Sequence, residues 1–203
     1  MSLFKNNIEA NKLKGFRYVV ESECIVDQND QTLIHLEQLN NYNAIIQATN
    51  AINEYYFHTL ENPTHRSRSF WNNFAEHFGT FKKYTLLPYT SSDMASLHNI
   101  DHLDCVNKLI LALKPLSDSV NQFVKDNYEN LYMKLSKLSW GPFASRPFGV
   151  FPMIVINFNI LSGFHWDNSG EANCFCILVA LENYEGGELC FPQLKVVIRL
   201  KPG

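Results

Sequence analysis

The chain has 203 residues, of which 46% are hydrophobic and 18% charged, with a mean hydropathy of −0.17. That balance is too apolar for a disordered chain and too polar for one embedded in lipid, and a chain of this size buries roughly 70% of its unfolded surface, enough for one sizeable core. A net charge of −3 excludes the strong overall positive field of a non-specific nucleic-acid binder, while leaving room for a local basic patch.

Five cysteines, Cys24, Cys105, Cys174, Cys176 and Cys190, are odd in number and widely spread. They predict reduced thiols and an intracellular protein, nuclear or cytoplasmic. The opening MSLFKNNIEANKLKGF has no continuous apolar segment of the secretory kind, and no apolar run approaches a membrane span. No membrane association is expected.

In chain order, residues 16–26 and 32–36 flank the polar turn Asp27-Gln28-Asn29-Asp30 and predict a hairpin. Over 36–60, Leu39, Ala44, Ile45, Ala48, Ala51, Ile52, Tyr55 and Tyr56 recur every three to four residues, as one helix face does. The stretch 62–90 is interrupted by Pro63, Gly79 and Pro88 and reads as loop with short elements. It carries the basic group His65-Arg66-Ser67-Arg68 and the pair Lys82-Lys83, for which a solvated surface is the simplest role. Helical spacing returns at Leu97, Ile100, Leu103, Val106 and Ile110, stops at Pro115, and resumes at Val120, Phe123, Val124, Tyr128, Leu131 and Leu135, with Ser117 as the expected N-cap of a second helix. After 138 the character changes to short β-rich runs: 154–160, 174–181, 188–191 and 194–200. The expected organisation is a mainly helical amino-terminal support, 1–138, and a sheet-forming part, 139–203.

Two His-x-Asp tripeptides occur, His102-Leu103-Asp104 and His165-Trp166-Asp167. The tripeptide is too short to be informative alone, so its setting decides. On a helix, residues i and i+2 are about 200° apart and cannot share a metal, which disqualifies the first pair. On a strand they share one face. His165 and Asp167 follow a β-run and precede the turn Asn168-Ser169-Gly170, so an imidazole and a carboxylate can converge there, with Trp166 facing away into packing. His98 and His102, four apart, lack the Glu that a zincin needs after its first His, since Asn99 stands there. Cys174 and Cys176 share a strand face and are expected to be small core residues rather than zinc ligands. No Gly-x-Ser-x-Gly elbow, P-loop or Gly-x-Gly-x-x-Gly is present.

Beyond His165-Trp166-Asp167 come the run 174–181, the turn Tyr184-Glu185-Gly186-Gly187, the strand Glu188-Leu189-Cys190-Phe191-Pro192, the run 196–200 and the turn Lys201-Pro202-Gly203. That order resembles the Fe(II)- and 2-oxoglutarate-dependent dioxygenases. Upstream, Arg146-Pro147-Phe148-Gly149-Val150-Phe151-Pro152 and Asn157-Phe158-Asn159 make it similar to their TET/JBP-type branch, particularly its fungal and protist members. The likeness spans 146–203, under a third of the chain. It implies an α+β fold with a double-stranded β-helix (jelly-roll) core, incomplete at its carboxyl end and supported by the amino-terminal helices.

The same resemblance implies Fe(II) held by His165 and Asp167 as metal ligands and catalytic residues, with 2-oxoglutarate as co-substrate and O₂ as oxidant. Such a ligand set leaves coordination positions open, and both ligands must be unprotonated. Asn157 and Asn159 are expected to hydrogen-bond 2-oxoglutarate; a role in satisfying backbone groups at a barrel mouth is equally open to them. The implied reaction is hydroxylation of a C–H bond, foremost the methyl group of 5-methylcytosine or thymine in DNA. A prolyl-type protein hydroxylase of the same superfamily and a non-catalytic β-helix module are the alternatives. In the family a second His ligand and a 2-oxoglutarate-binding Arg follow the Pro-Gly turn. Neither role is carried onto a residue here, Arg199 included, since it precedes that turn. The expectation is therefore a fragment of a longer enzyme or a truncated, inactive product.

Overall fold

The computed structural model describes residues 13–58, 74–81, 88–91, 94, 100–138, 141, 146–158, 174–182 and 186–203. The fold is α+β, with three small sheets and no closed barrel among the described residues. The chain forms two compact units, one from residues up to 45 together with 177 onward, the other from 46 to 176.

The first unit holds two sheets. β1 (Arg17–Val19) pairs in parallel with β8 (Val196–Ile198), which pairs antiparallel with β7 (Leu189–Phe191). β2 (Glu23–Val26) and β3 (Thr32–Leu36) form the expected hairpin, with a bulge at Ile25/Val26. Its turn is built by Asp27, whose Oδ1 accepts the N–H groups of Asn29 and Gln31, both at 2.8 Å. That carboxylate replaces the backbone partners a tight turn leaves unpaired. Val19, Val196 and Ile198 are buried, and Ile25, Ile34, Leu36, Leu189, Phe191 and Leu200 pack against them. A two-layer β core results, in which the hairpin's apolar face covers the sheet.

Helix α1 (Tyr42–Asn53) starts later than residue 36, because β3 occupies 32–36. Asn41 sets its first turn, its Oδ1 accepting the Ala44 N–H at 3.2 Å. Ala44, Ile45, Ala48 and Ile52 form its buried stripe. The helix widens into a π-helical turn, Glu54–His58, which buries Tyr55 against Phe78 at 5.8 Å, edge to face.

In the second unit β4 (Phe74–Phe81) is the middle strand of a sheet ordered β5-β4-β6, with β5 at Tyr89–Thr90 and β6 at Met153–Phe158. Within 62–90, read as loop with short elements, residues 74–81 instead form a full strand, while 62–73 and 82–87 lie outside the described residues. β4 is an eight-residue strand whose Phe78 and Thr80 are buried, and alternation there is diluted by Gly79. That glycine has φ +136, and a Cβ on it would lie 2.3 Å from the Pro152 carbonyl oxygen, so the strands approach too closely for any other residue.

Helix α2 (Ile100–Asn127) runs straight through Pro115, and α3 (Glu129–Ser136) follows after Tyr128. The expected break at Pro115 and the expected N-cap at Ser117 are both overturned. The reason is tertiary: Val106, Leu109, Leu113 and Val124 are all buried and keep one helical phase across the proline. Ser117 is a helix-interior residue whose carbonyl accepts from Asn121 Nδ2 at 2.8 Å. Two pairings, β1 with β8 and β4 with β6, also join residues before 138 to residues after it.

Candidate functional site

β6 is the described strand that leads toward the His-x-Asp motif, and its placement rests on a turn clamped from within. Phe148 and Phe151 form a bridge around Gly149, which has φ +68, while Phe148 and Val150 are buried. The side-chain amide of Asn121, itself buried on α2, donates from Nδ2 to the Phe148 carbonyl at 3.0 Å and accepts the Val150 N–H at Oδ1, 2.9 Å away. Arg146 donates to the carbonyls of Ser136 and Leu138 at the end of α3, a favourable place for a cation. The segment 146–152 thus docks the start of β6 against the helices.

β6 and β4 run antiparallel, with Phe158 opposite Phe74, Asn157 opposite Ala75, Ile156 opposite Glu76 and Val155 opposite His77. One face of the pair is turned inward through Phe78 and Ile156. Glu76 shares that inner face, and its carboxylate accepts the Tyr56 hydroxyl at 2.6 Å. The other face presents Ala75, His77, Val155 and Asn157, all exposed.

Asn157 therefore stands on the open face of the sheet. His165, Asp167 and Asn159, with Trp166, lie outside the described residues, as do His98, the basic group 65–68 and Lys82-Lys83. His102 and Asp104 lie on α2, and Asp104 forms an i,i+4 ion pair with Lys108 at 2.7 Å. The helical setting that disqualifies this pair as metal ligands is what the structure has.

After the motif in sequence, 174–179 joins no ladder among the described residues, and Ala180 makes a single bridge to Pro202. The expected strand over 174–181 is not formed. Cys174 is half-buried and Cys176 exposed, so these two are not core residues, and none of the five cysteines is in a disulfide. Gly186 and Gly187 both have positive φ, +79 and +71, which the turn into β7 requires. Glu188, next in line, turns Oε2 away from solvent, where it meets no hydrogen-bond partner among the described residues. The hairpin closes through Leu194 N–H to Phe191 carbonyl and Lys195 N–H to Pro192 carbonyl, at 3.1 and 3.2 Å. The Pro202-Gly203 turn is held by Gly203 N–H to the Ala180 carbonyl at 2.7 Å and Leu39 N–H to the Gly203 carbonyl at 2.6 Å.

Sequence reasoning passed over Asn121 and His77. An Asn inside an amphipathic helix has no signal of its own. His77 was hidden by the loop reading of β4, although Phe78 and Thr80 at a spacing of two were a strand signal. Among the described residues no group of three His, Cys, Asp or Glu side chains is gathered to hold a metal, and no helix is long and apolar enough to cross a membrane. No known protein family matches the chain, nor does any curated protein or solved structure.

Proposed function

We propose that the protein is an Fe(II)- and 2-oxoglutarate-dependent dioxygenase with a jelly-roll core, and that it hydroxylates the methyl group of a nucleobase, 5-methylcytosine or thymine in DNA. The observation that carries this is the order of parts along 157–203. A strand bearing Asn157 ends seven residues before His165-Trp166-Asp167, and a Gly-Gly hairpin and a Pro-Gly turn follow. The two left-handed glycines that lead into β7, the hairpin of β7 and β8, and the pinned Pro202-Gly203 turn support the same order.

One imidazole and one carboxylate are two of the three donors that a 2-His-1-carboxylate iron site takes, and a second imidazole is still required to complete it. Bound iron would supply the activation of O₂ that C–H hydroxylation needs. To hold the metal, His165 would have to be the neutral imidazole and Asp167 the carboxylate. Asn157 offers an amide donor to an acceptor-only carboxylate of 2-oxoglutarate. A methyl group on a paired base is buried in the stack, so the nucleotide has to swing out to reach the ligands.

The test is Fe(II)-dependent formation of succinate from 2-oxoglutarate by the complete product of the gene, with and without DNA containing methylated bases. Turnover that disappears in His165→Ala and in Asp167→Ala supports the reading. Unchanged turnover in both variants removes the site, and hydroxylation of a prolyl peptide in place of DNA transfers the same chemistry to a protein substrate.

A further inference from the structure

We draw no further inference here: the strongest candidate, the partly exposed aromatic patch at the junction of α2 and α3, where the Phe175 ring lies 4.8 Å from Tyr128 and the Tyr128 ring 6.5 Å from Phe123, is an unpartnered apolar surface, and nothing in the structure shows what covers it.

Discussion

The side-chain amide of Asn121 grips the peptide units on both sides of Gly149, giving a hydrogen bond to the Phe148 carbonyl and taking one from the Val150 N–H, at 3.0 and 2.9 Å. It acts as one rung of backbone supplied by a side chain. The two positions are matched: a Cβ on residue 149 would lie 2.3 Å from Asn121 Oδ1, and φ there is +68.

From this follows a coupling. Asn121→Ala leaves a buried carbonyl and a buried N–H unpaired and should cost about 3 kcal/mol of unfolding free energy. Gly149→Ala should cost about 2 kcal/mol through left-handed strain and displacement of the amide. Because both break the same clamp, the double variant should lose clearly less than the sum. Urea unfolding of the four proteins measures this, and strict additivity would show that the two residues act independently.

Pro115 removes the hydrogen bond that the Leu111 carbonyl would otherwise receive inside α2. Leu111 is 69% exposed, so water reaches that side of the helix, while the buried stripe continues past it. Pro115→Ala should restore the bond and raise stability by about 1–3 kcal/mol. A lower midpoint in thermal unfolding would mean that the proline shapes the helix in a way the packing needs.

In the β2–β3 turn, the N–H groups of Gln31 and then Asn29, aimed at its carboxylate, hold Asp27 below its ordinary value of 3.8. A depressed folded value means the turn gains from ionised Asp27 above the unfolded value and loses that gain as pH falls through the lower folded one. The Asn29 and Gln31 amide resonances should therefore titrate together with a midpoint under 3.8. A midpoint above it would show that the carboxylate does not hold the turn.

Burial pushes the Cys190 thiol up from its ordinary value of 9.0, so it stays protonated at neutral pH. Cys24 and Cys176 are exposed. Alkylation by iodoacetamide, mapped by mass spectrometry, should reach those two first and Cys190 later. Early labelling of Cys190 would show that β7 opens readily.

What the sequence displays depends on how local the cause is. The turn at Asp27 and the Gly186-Gly187 bend are legible because a few adjacent residues determine them. The continuity of α2 through Pro115 is not, since a stripe of buried residues in contact with the rest of the unit outweighs the local penalty. β4 is obscured by Gly79, whose reason is a neighbouring strand more than seventy residues away. Of the candidate site, the strand carrying Asn157 is plain from its alternation, but the partner strand that gives Asn157 its neighbours is not. Register between distant strands is written in contacts that no single stretch of sequence contains.

β1 lies beside β8, nearly the whole chain apart. During synthesis, then, the hairpin of β2 and β3 emerges with Ile25, Ile34 and Leu36 uncovered, and nothing to shield them exists until the ribosome has made the residues of β7 and β8. For that interval the newborn polypeptide displays a sticky β ribbon, and the long separation of its partner strands makes this unit slow to complete.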